Sequence, residues 1–382
     1  MGLVKQKPEL FKFLGSCLTL LKSGMPVMHI RESGGCTLGF AFLQPNHFRT
    51  VPSEPECPLT YKQAVFKSQG AALTIEDAEL QMPGSGEVLV NVEACGVCYS
   101  DMFAQHNIMG GAFPIVPGHE IIGHVAAVGD GVKPWKVGDR VGAGWHGGHD
   151  GTCFACKTGM CQMCNNQIVN GETKAGGYAE DVILCSEATV RVPTHVDAAK
   201  YAPALCAGMT VFNSLRHMDV KPGETVAVQG LGGLGHLAVQ TAQRMGYRVV
   251  AIGRGADKEA FARQLGAHEY IDTTSAKLIM TTVPIAGAMG TLLKGLGPLG
   301  KLLILSGVPG EVPIDTGVLL KHALSVQVWP CGHATDSEDT TQFMDMQKID
   351  CMVQTFPLAK ANEAFKAMME GSVRFRAVIV VG

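Results

Sequence analysis

The chain lacks any apolar run that approaches the length of a membrane span, which excludes a bilayer-crossing helix on the sequence pattern. It also lacks an excess of positive charge. Thirty-one Lys and Arg stand against 34 Asp and Glu, for a formal net charge of −3. No basic stripe breaks that balance, which argues against a nucleic-acid partner. Charged residues are only 17% of the chain and hydrophobic ones 46%, the balance of a soluble globular enzyme and not of a disordered segment. Internal repeats and a convincing secretion signal are absent too. The 13 cysteines are not an even set, and Cys153, Cys156, Cys161 and Cys164 crowd together. That pattern fits reduced thiols, some of them holding metal, better than a disulfide framework, so a cytoplasmic location is expected.

What is present divides the 382 residues into about two domains and an extension. Residues 1–60 carry Gly34, Gly35, Pro45, Pro52, Pro55 and Pro58, which argue against a compact domain. They read as an accessory or disordered extension. A mitochondrial address is the minority reading, because Leu10–Leu21 is apolar but Glu9 and Glu32 interrupt the basic character a transit peptide needs. From Tyr61 the pattern is β-rich, with strands expected at Gln63–Phe66, Val88–Val92, Val125–Val128 and Asp139–Val141. From Cys206 it becomes strand–helix alternation, the mark of a parallel sheet. Strands are expected there at Thr225–Val228, Arg248–Ile252, Glu269–Ile271, Leu278–Thr281 and Lys301–Ser306. The alternation ends near Gly332, and Val373–Val381 reads as a strand that rejoins the first domain. The expected division is therefore 61–205 together with 332–382, and 206–331.

A glycine-rich turn opens the second region. Gln229–His236 reads Q-G-L-G-G-L-G-H, between the strand Thr225–Val228 and a helix-like segment from Leu234 to Arg244. Gly230, Gly232 and Gly235 form G-x-G-x-x-G, with Gly233 and Leu234 inside it. Such a turn lets backbone N–H groups approach a pyrophosphate at a helix N-terminus. The next strand ends where an acidic residue would hold an adenosine ribose. Gly253 stands there and Arg254 follows. A small residue plus a cation suits a 2′-phosphate, so NADP(H) is expected over NAD(H).

Two groups of residues have metal-ligand chemistry. Cys98, His119 and Cys206 supply two thiolates and an imidazole, which leave a fourth zinc position open for chemistry. Asp101 and Glu120 are acidic neighbours suited to orienting that set, Glu120 directly beside His119. Asp150, Cys153, Cys156 and Cys164 follow at short spacing, flanked by Gly151 and Gly159, and suggest a closed tetrahedral zinc. Cys161 competes with Asp150 for the fourth corner.

Tyr61–Gly382 resembles the zinc-dependent alcohol dehydrogenases of the medium-chain dehydrogenase/reductase superfamily, of fungal and bacterial type. The resemblance is carried by A-C-G-V-C-Y-S-D, P-G-H-E-I-I-G-H-V, V-G-D-R-V, W-H-G-G-H-D-G-T-C, G-G-Y-A-E, L-C-A-G-M-T-V and Q-G-L-G-G-L-G-H. It implies an α/β architecture: a GroES-like catalytic domain plus a Rossmann cofactor domain, assembled as a homo-oligomer of two or four chains. It also implies roles. Cys98, His119 and Cys206 match catalytic zinc ligands, Ser100 the hydroxyl that relays the alcohol proton, and Thr210 a residue beside the nicotinamide. Arg376 matches a basic residue near the cofactor phosphates. The chain departs from the pattern at Asp150, where a cysteine is usual, and at Phe103, where many members carry a relay histidine. Tyr99, Phe103 and Trp145 are candidates for an aromatic substrate pocket.

A further departure is physical. A parallel crossover needs about a dozen or more residues, usually a helix. Only Asp272–Lys277 separate the strands expected at Glu269–Ile271 and Leu278–Thr281. The cofactor domain is thus expected to lack one crossover helix, with one of those strands absent from the sheet or displaced. Two functions follow: reversible alcohol oxidation with NADP+ and zinc, or an inactive relic that still binds zinc and nucleotide. A zinc-independent quinone reductase of the same superfamily would lack the cysteine ligands.

Overall fold

A computed structural model describes residues 59–253, 255, 258–271, 275–307 and 310–382. All but the last two residues of the 1–60 extension lie outside this set, as does Arg254. In chain order the first nine strands are β1 (Thr60–Phe66), β2 (Leu73–Glu79), β3 (Glu87–Val97), β4 (Glu120–Val128), β5 (Arg140–Ala143), β6 (His146–Gly148), β7 (Ile168–Val169), β8 (Asp181–Cys185) and β9 (Val190–Arg191). The expected strands at 63–66, 88–92, 125–128 and 139–141 all fall in or against these, which are mostly longer. β2 was not expected: its alternating LTIEDAE buries only Leu73 fully, so its apolar signal is weak.

Beyond Cys206 come β10 (Thr225–Gln229), β11 (Arg248–Ile252), β12 (Glu269–Ile271), β13 (Ala276–Thr281), β14 (Leu296–Ile304) and β15 (Ser325–Val328). They form one six-stranded sheet in the order β12-β11-β10-β13-β14-β15, parallel at every junction. Val226, Val228, Leu278 and Met280 have no exposed surface, and neither do Ala227 and Ile279. These strands are covered on both faces, which is why they read as unbroken apolar runs. The chain ends on β16 (Val353–Pro357) and β17 (Arg376–Val380). β17 pairs antiparallel with β3, so the terminal strand does rejoin the first, seven-stranded sheet.

The sheet corrects one expectation. Both strands flanking the short link are present and in regular parallel register, β12 on β11 through Val250↔Glu269 to Ile252↔Ile271, and β13 on β10 through Val226↔Leu278 to Gln229↔Thr281. Neither is displaced. The reason lies in the strand order. β12 sits at the sheet edge, while β13 lies between β10 and β14. Each register is therefore set by its own neighbours and not by the link. β13 also begins at Ala276, two residues earlier than expected. No helix lies between β12 and β13 among the described residues.

The glycine turn shows why its residues are glycine. Gly230 has φ +91°, in the left-handed region. A Cβ on Gly235 would stand 1.9 Å from the Gly230 carbonyl oxygen. The turn closes only without side chains at Gly230 and Gly235, and the helix Gly235–Arg244 starts directly from it. Ala238, Val239 and Ala242 bury that helix against the sheet, in one cluster with Val226, Val228 and Val249, while Leu237 joins a separate core cluster with Ala94, Ile122 and Val378.

Candidate functional site

Three separate elements bring the first ligand set together. Cys98 follows β3, His119 precedes β4, and Cys206 precedes the helix Ala207–Arg216. The ligand atoms of Cys98, His119, Glu120 and Cys206 all lie within 4.8 Å of one another, and all four residues are buried. Cys98 Sγ and Cys206 Sγ are 3.9 Å apart. Asp101 organises this set. Its Oδ1 lies 3.0 Å from His119 Nδ1. Its Oδ2 accepts hydrogen bonds from the Cys98 backbone N–H at 2.8 Å and from the Tyr178 hydroxyl at 2.7 Å. The Cys98 thiol is held well below the ordinary thiol range, first by its hydrogen bond with Cys206 and then, against burial, by His119.

Glu120 is paired with Arg376. Burial pushes its carboxyl up to about 7, against the pull of Arg376. Arg376 in turn lies under the glycine turn, because a Cβ on Gly233 would stand 3.0 Å from its Cδ. One side chain thus links the glycine turn to the acid beside His119.

Of this ligand set Cys206 borders a cleft of about 540 Å³, a size usual for a small-molecule site of about 300–1,000 Å³. Ser100, Cys206 and Thr210 line it. Ser100 Oγ is 3.4 Å from Cys98 Sγ, and the Thr210 hydroxyl donates to Cys331 Sγ at 3.2 Å. Phe103 and Trp145 line it as well, packed edge to face at 6.3 Å. Tyr99 does not: it is 43% exposed and outside the lining. Gln162, Gln167, Ser306, Trp329 and Cys331 line the cleft and were missed in the sequence. Ser306 and Trp329 follow the C-terminal ends of β14 and β15, where open α/β sheets bind ligands, and that rule could have found them.

The second cluster gathers Asp150, Cys153, Cys156 and Cys164, again within 4.8 Å. Cys153 Sγ lies 3.6 Å from Cys156 Sγ and 3.8 Å from Cys164 Sγ, and Cys156 Sγ is 3.6 Å from Asp150 Oδ1. Cys161 is outside the four-residue group. Asp150 Oδ1 also accepts from the backbone N–H groups of Thr152 and Cys153. With the Asn166 side chain on Oδ2, these hold its carboxyl well below the usual range.

At the end of β11, Gly253 is tight. A Cβ there would stand 2.7 Å from the Tyr270 hydroxyl oxygen, so an acidic side chain could not enter without moving Tyr270.

Fold and cleft together define a two-domain oxidoreductase of the dehydrogenase type. Residues 84–194 match the alcohol dehydrogenase GroES-like domain, and residues 233–348 match the zinc-binding dehydrogenase domain. Alcohol dehydrogenase patD of Penicillium expansum is 60% identical over 336 aligned residues, covering 85% of this chain and 98% of that protein. Among solved structures, a CAD from Helicobacter pylori complexed with NADP(H) matches with TM-score 0.78 and 26% identity, over 85% of this chain and 99% of that one. An acetophenone reductase from Geotrichum candidum, in complex with NAD, matches with TM-score 0.76 and 28% identity, over 85% and 98%. The chain belongs to the zinc-dependent alcohol dehydrogenase family of the medium-chain dehydrogenase/reductase superfamily, and it is an alcohol dehydrogenase.

Proposed function

We propose that the protein is a zinc-dependent dehydrogenase that interconverts an alcohol with an aldehyde or ketone and prefers NADP(H). The observation that carries this is the convergence of Cys98, His119 and Cys206 at the cleft, beside Ser100. His119 Nε2 is fully buried without a hydrogen-bond partner, as a nitrogen reserved for a metal would be. A soft S, N, S donor set fits zinc. Zinc held there supplies Lewis acidity, and a nicotinamide dinucleotide supplies the hydride acceptor.

The chain's own residues do the rest. Asp101 fixes the His119 ring through Nδ1 and tethers the Cys98 backbone. Ser100 Oγ accepts the proton as the alcohol is oxidised and returns it in the reverse direction. Phe103 takes the place of a second relay group, so the proton passes from Ser100 to water in the open cleft. Thr210 would stand beside the nicotinamide, and Gly230, Gly232, Gly233, Leu234 and Gly235 would hold the pyrophosphate with Arg376 behind them. Gly253 and Arg254 favour the 2′-phosphate, a reading that the crowding against Tyr270 supports. Asp150, Cys153, Cys156 and Cys164 would hold a second, structural zinc, with Cys161 a spectator.

The proposed division is a catalytic domain of 61–205 with 332–382 and a cofactor domain of 206–331, working as a cytoplasmic homo-oligomer. Among the described residues no helix is long and apolar enough to cross a membrane. The inactive relic has no support: among the described residues the cofactor sheet has six strands, parallel at every junction. A sweep of aliphatic and aromatic aldehydes with NADPH, alongside metal analysis and light scattering, tests this function. Zinc-loaded protein that reduces none of them contradicts it.

A further inference from the structure

One thiol in the cleft has no part in the chemistry above. Cys331 lines the cleft with Ser100, Cys206 and Thr210, and it is only partly buried. Its sulfur accepts a hydrogen bond from the Thr210 hydroxyl at 3.2 Å and lies 3.7 Å from the Cys206 carbonyl oxygen. Both of these neighbours border the cleft themselves, so the sulfur stands on the same wall, beside the first ligand set. Thr210 is also the residue proposed to stand beside the nicotinamide. The thiol, the ligand set and the hydride acceptor would therefore share one corner of the cleft.

The backbone presents this thiol. Cys331 lies on the turn between β15 and the helix Ala334–Gln347, past the end of a parallel strand, where open α/β sheets place their ligands. Its φ is +28°, on the side of the map that only glycine enters freely. The Asn213 side chain fixes the turn by donating to the Cys331 carbonyl at 2.9 Å. Gly332 leaves no slack either, since a Cβ there would stand 2.7 Å from Asp336 Oδ2. Backbone strain of this kind costs about 1–3 kcal/mol and clusters at functional sites. A sharp, strained strand-to-helix turn is also how α/β-hydrolases expose a nucleophile. A cysteine that merely fills space needs neither the strain nor the exposure. Cys95 and Cys351 are of that kind, enclosed in the core.

We propose that Cys331 is a second catalytic group, a nucleophile that carries the aldehyde onward to the carboxylic acid. The protein would then be an aldehyde dehydrogenase as well as an alcohol dehydrogenase. The proposal rests on the reading of this cleft as the site of alcohol–carbonyl interconversion. The Cys331 sulfur bonds to the carbonyl carbon, and the thiol proton ends on the carbonyl oxygen. The product is a thiohemiacetal, R–CH(OH)–S–Cys331. Its carbon bears a hydrogen and a hydroxyl, as the alcohol carbon does, so the second oxidation repeats the chemistry of the first. Hydride leaves that carbon for NADP+ and the hydroxyl proton leaves for water, which gives a thioester, NADPH and H+. Water then breaks the carbon–sulfur bond, releases the acid and restores the thiol. The sum is RCHO + H2O + NADP+ → RCOOH + NADPH + H+. A covalent intermediate thus splits one difficult step into easier ones.

The test follows benzaldehyde and butanal with NADP+ in the zinc-loaded wild type and in Cys331→Ser, with the acid measured by chromatography. Benzaldehyde is scarcely hydrated in water, which keeps direct oxidation of the hydrate low. The wild type should form acid, and acid-quenched samples should carry the acyl group on the peptide that contains Cys331. Cys331→Ser should form acid about a hundredfold or more slowly. In a separate measurement, aldehyde labelled at the carbonyl with the NMR-active carbon isotope is added without cofactor. A tetrahedral carbon resonance should appear in the wild type and be missing in Cys331→Ser. Acid formation that survives Cys331→Ser undiminished is oxidation of the hydrate and overturns the proposal. Reduction of these aldehydes by NADPH, with no acid formed by NADP+, overturns it too and leaves the proposed function standing. If no alcohol or aldehyde turns over, the proposed function fails, and the resonance alone decides: its absence overturns the role of Cys331. If Cys331→Ser does not fold, the acyl group on the wild-type peptide decides, and its absence overturns the proposal.

Discussion

Asp101 Oδ1 stands 3.0 Å from His119 Nδ1, with both side chains buried, while Oδ2 of the same carboxylate takes the backbone N–H of Cys98. One side chain thereby fixes two of the three proposed zinc ligands. Asp101→Asn keeps the shape but removes the charge and one acceptor. It should weaken zinc at this site by about 10–100-fold, read by competition with a chromophoric chelator. Unchanged affinity would mean that the ring is held by packing alone.

The second cluster should behave as a structural centre. Cys153→Ser should release one zinc per chain and lower the melting temperature, while Cys161→Ser should leave both values near those of the wild type. Metal analysis and thermal unfolding check this pair. A larger loss from Cys161→Ser would exchange the roles of Asp150 and Cys161.

For the cofactor, an arginine–phosphate contact is charge-assisted and worth about 1.5–3 kcal/mol. Arg254→Ala should therefore weaken NADP(H) by about tenfold or more and leave NAD(H) nearly unchanged. Dissociation constants for the two cofactors decide it. An equal loss for both would remove the 2′-phosphate role.

Acid sensitivity follows from two buried histidines. Burial pushes both His146 and His236 down to about 4, and His149 adds to the effect at His146. His236 Nε2 accepts from the Met352 backbone N–H, which requires the neutral ring. Both folded values lie below the ordinary 6.5, so the unfolded chain binds more protons between pH 6.5 and 4. Stability is full above pH 6.5 and falls as the pH drops through that window. Each group accounts for about 3 kcal/mol at the acid end. Denaturant unfolding at stepped pH should show a shallower acid loss in His146→Gln. An unaltered slope would show that His146 does not titrate on unfolding.

Much of this was legible in the sequence where chemistry is local. Cys98, His119 and Cys206 stood out as donor types, and the glycine turn stood out because Gly230 and Gly235 tolerate no side chain. The buried strands around Val226 and Leu278 were visible as apolar runs. The fate of the short link was not. Strand registers depend on neighbours far apart in sequence, and treating β12 and β13 as a crossover problem missed that β11 and β10 hold them. Gln162 and Gln167 were invisible for a similar reason. Glutamine is ordinary on a surface, and only the fold shows that these two line the cleft. Tyr99 was overread, since an aromatic beside a ligand need not face the site.

The most direct test of the central claim is zinc content measured together with alcohol oxidation, on the wild type and on Cys98→Ala. The wild type should hold two zinc ions per chain and reduce NADP+ with an alcohol. Cys98→Ala should hold one and lose turnover by several orders of magnitude while remaining folded. A Cys98→Ala protein that keeps both zinc ions and near-normal turnover would contradict the account.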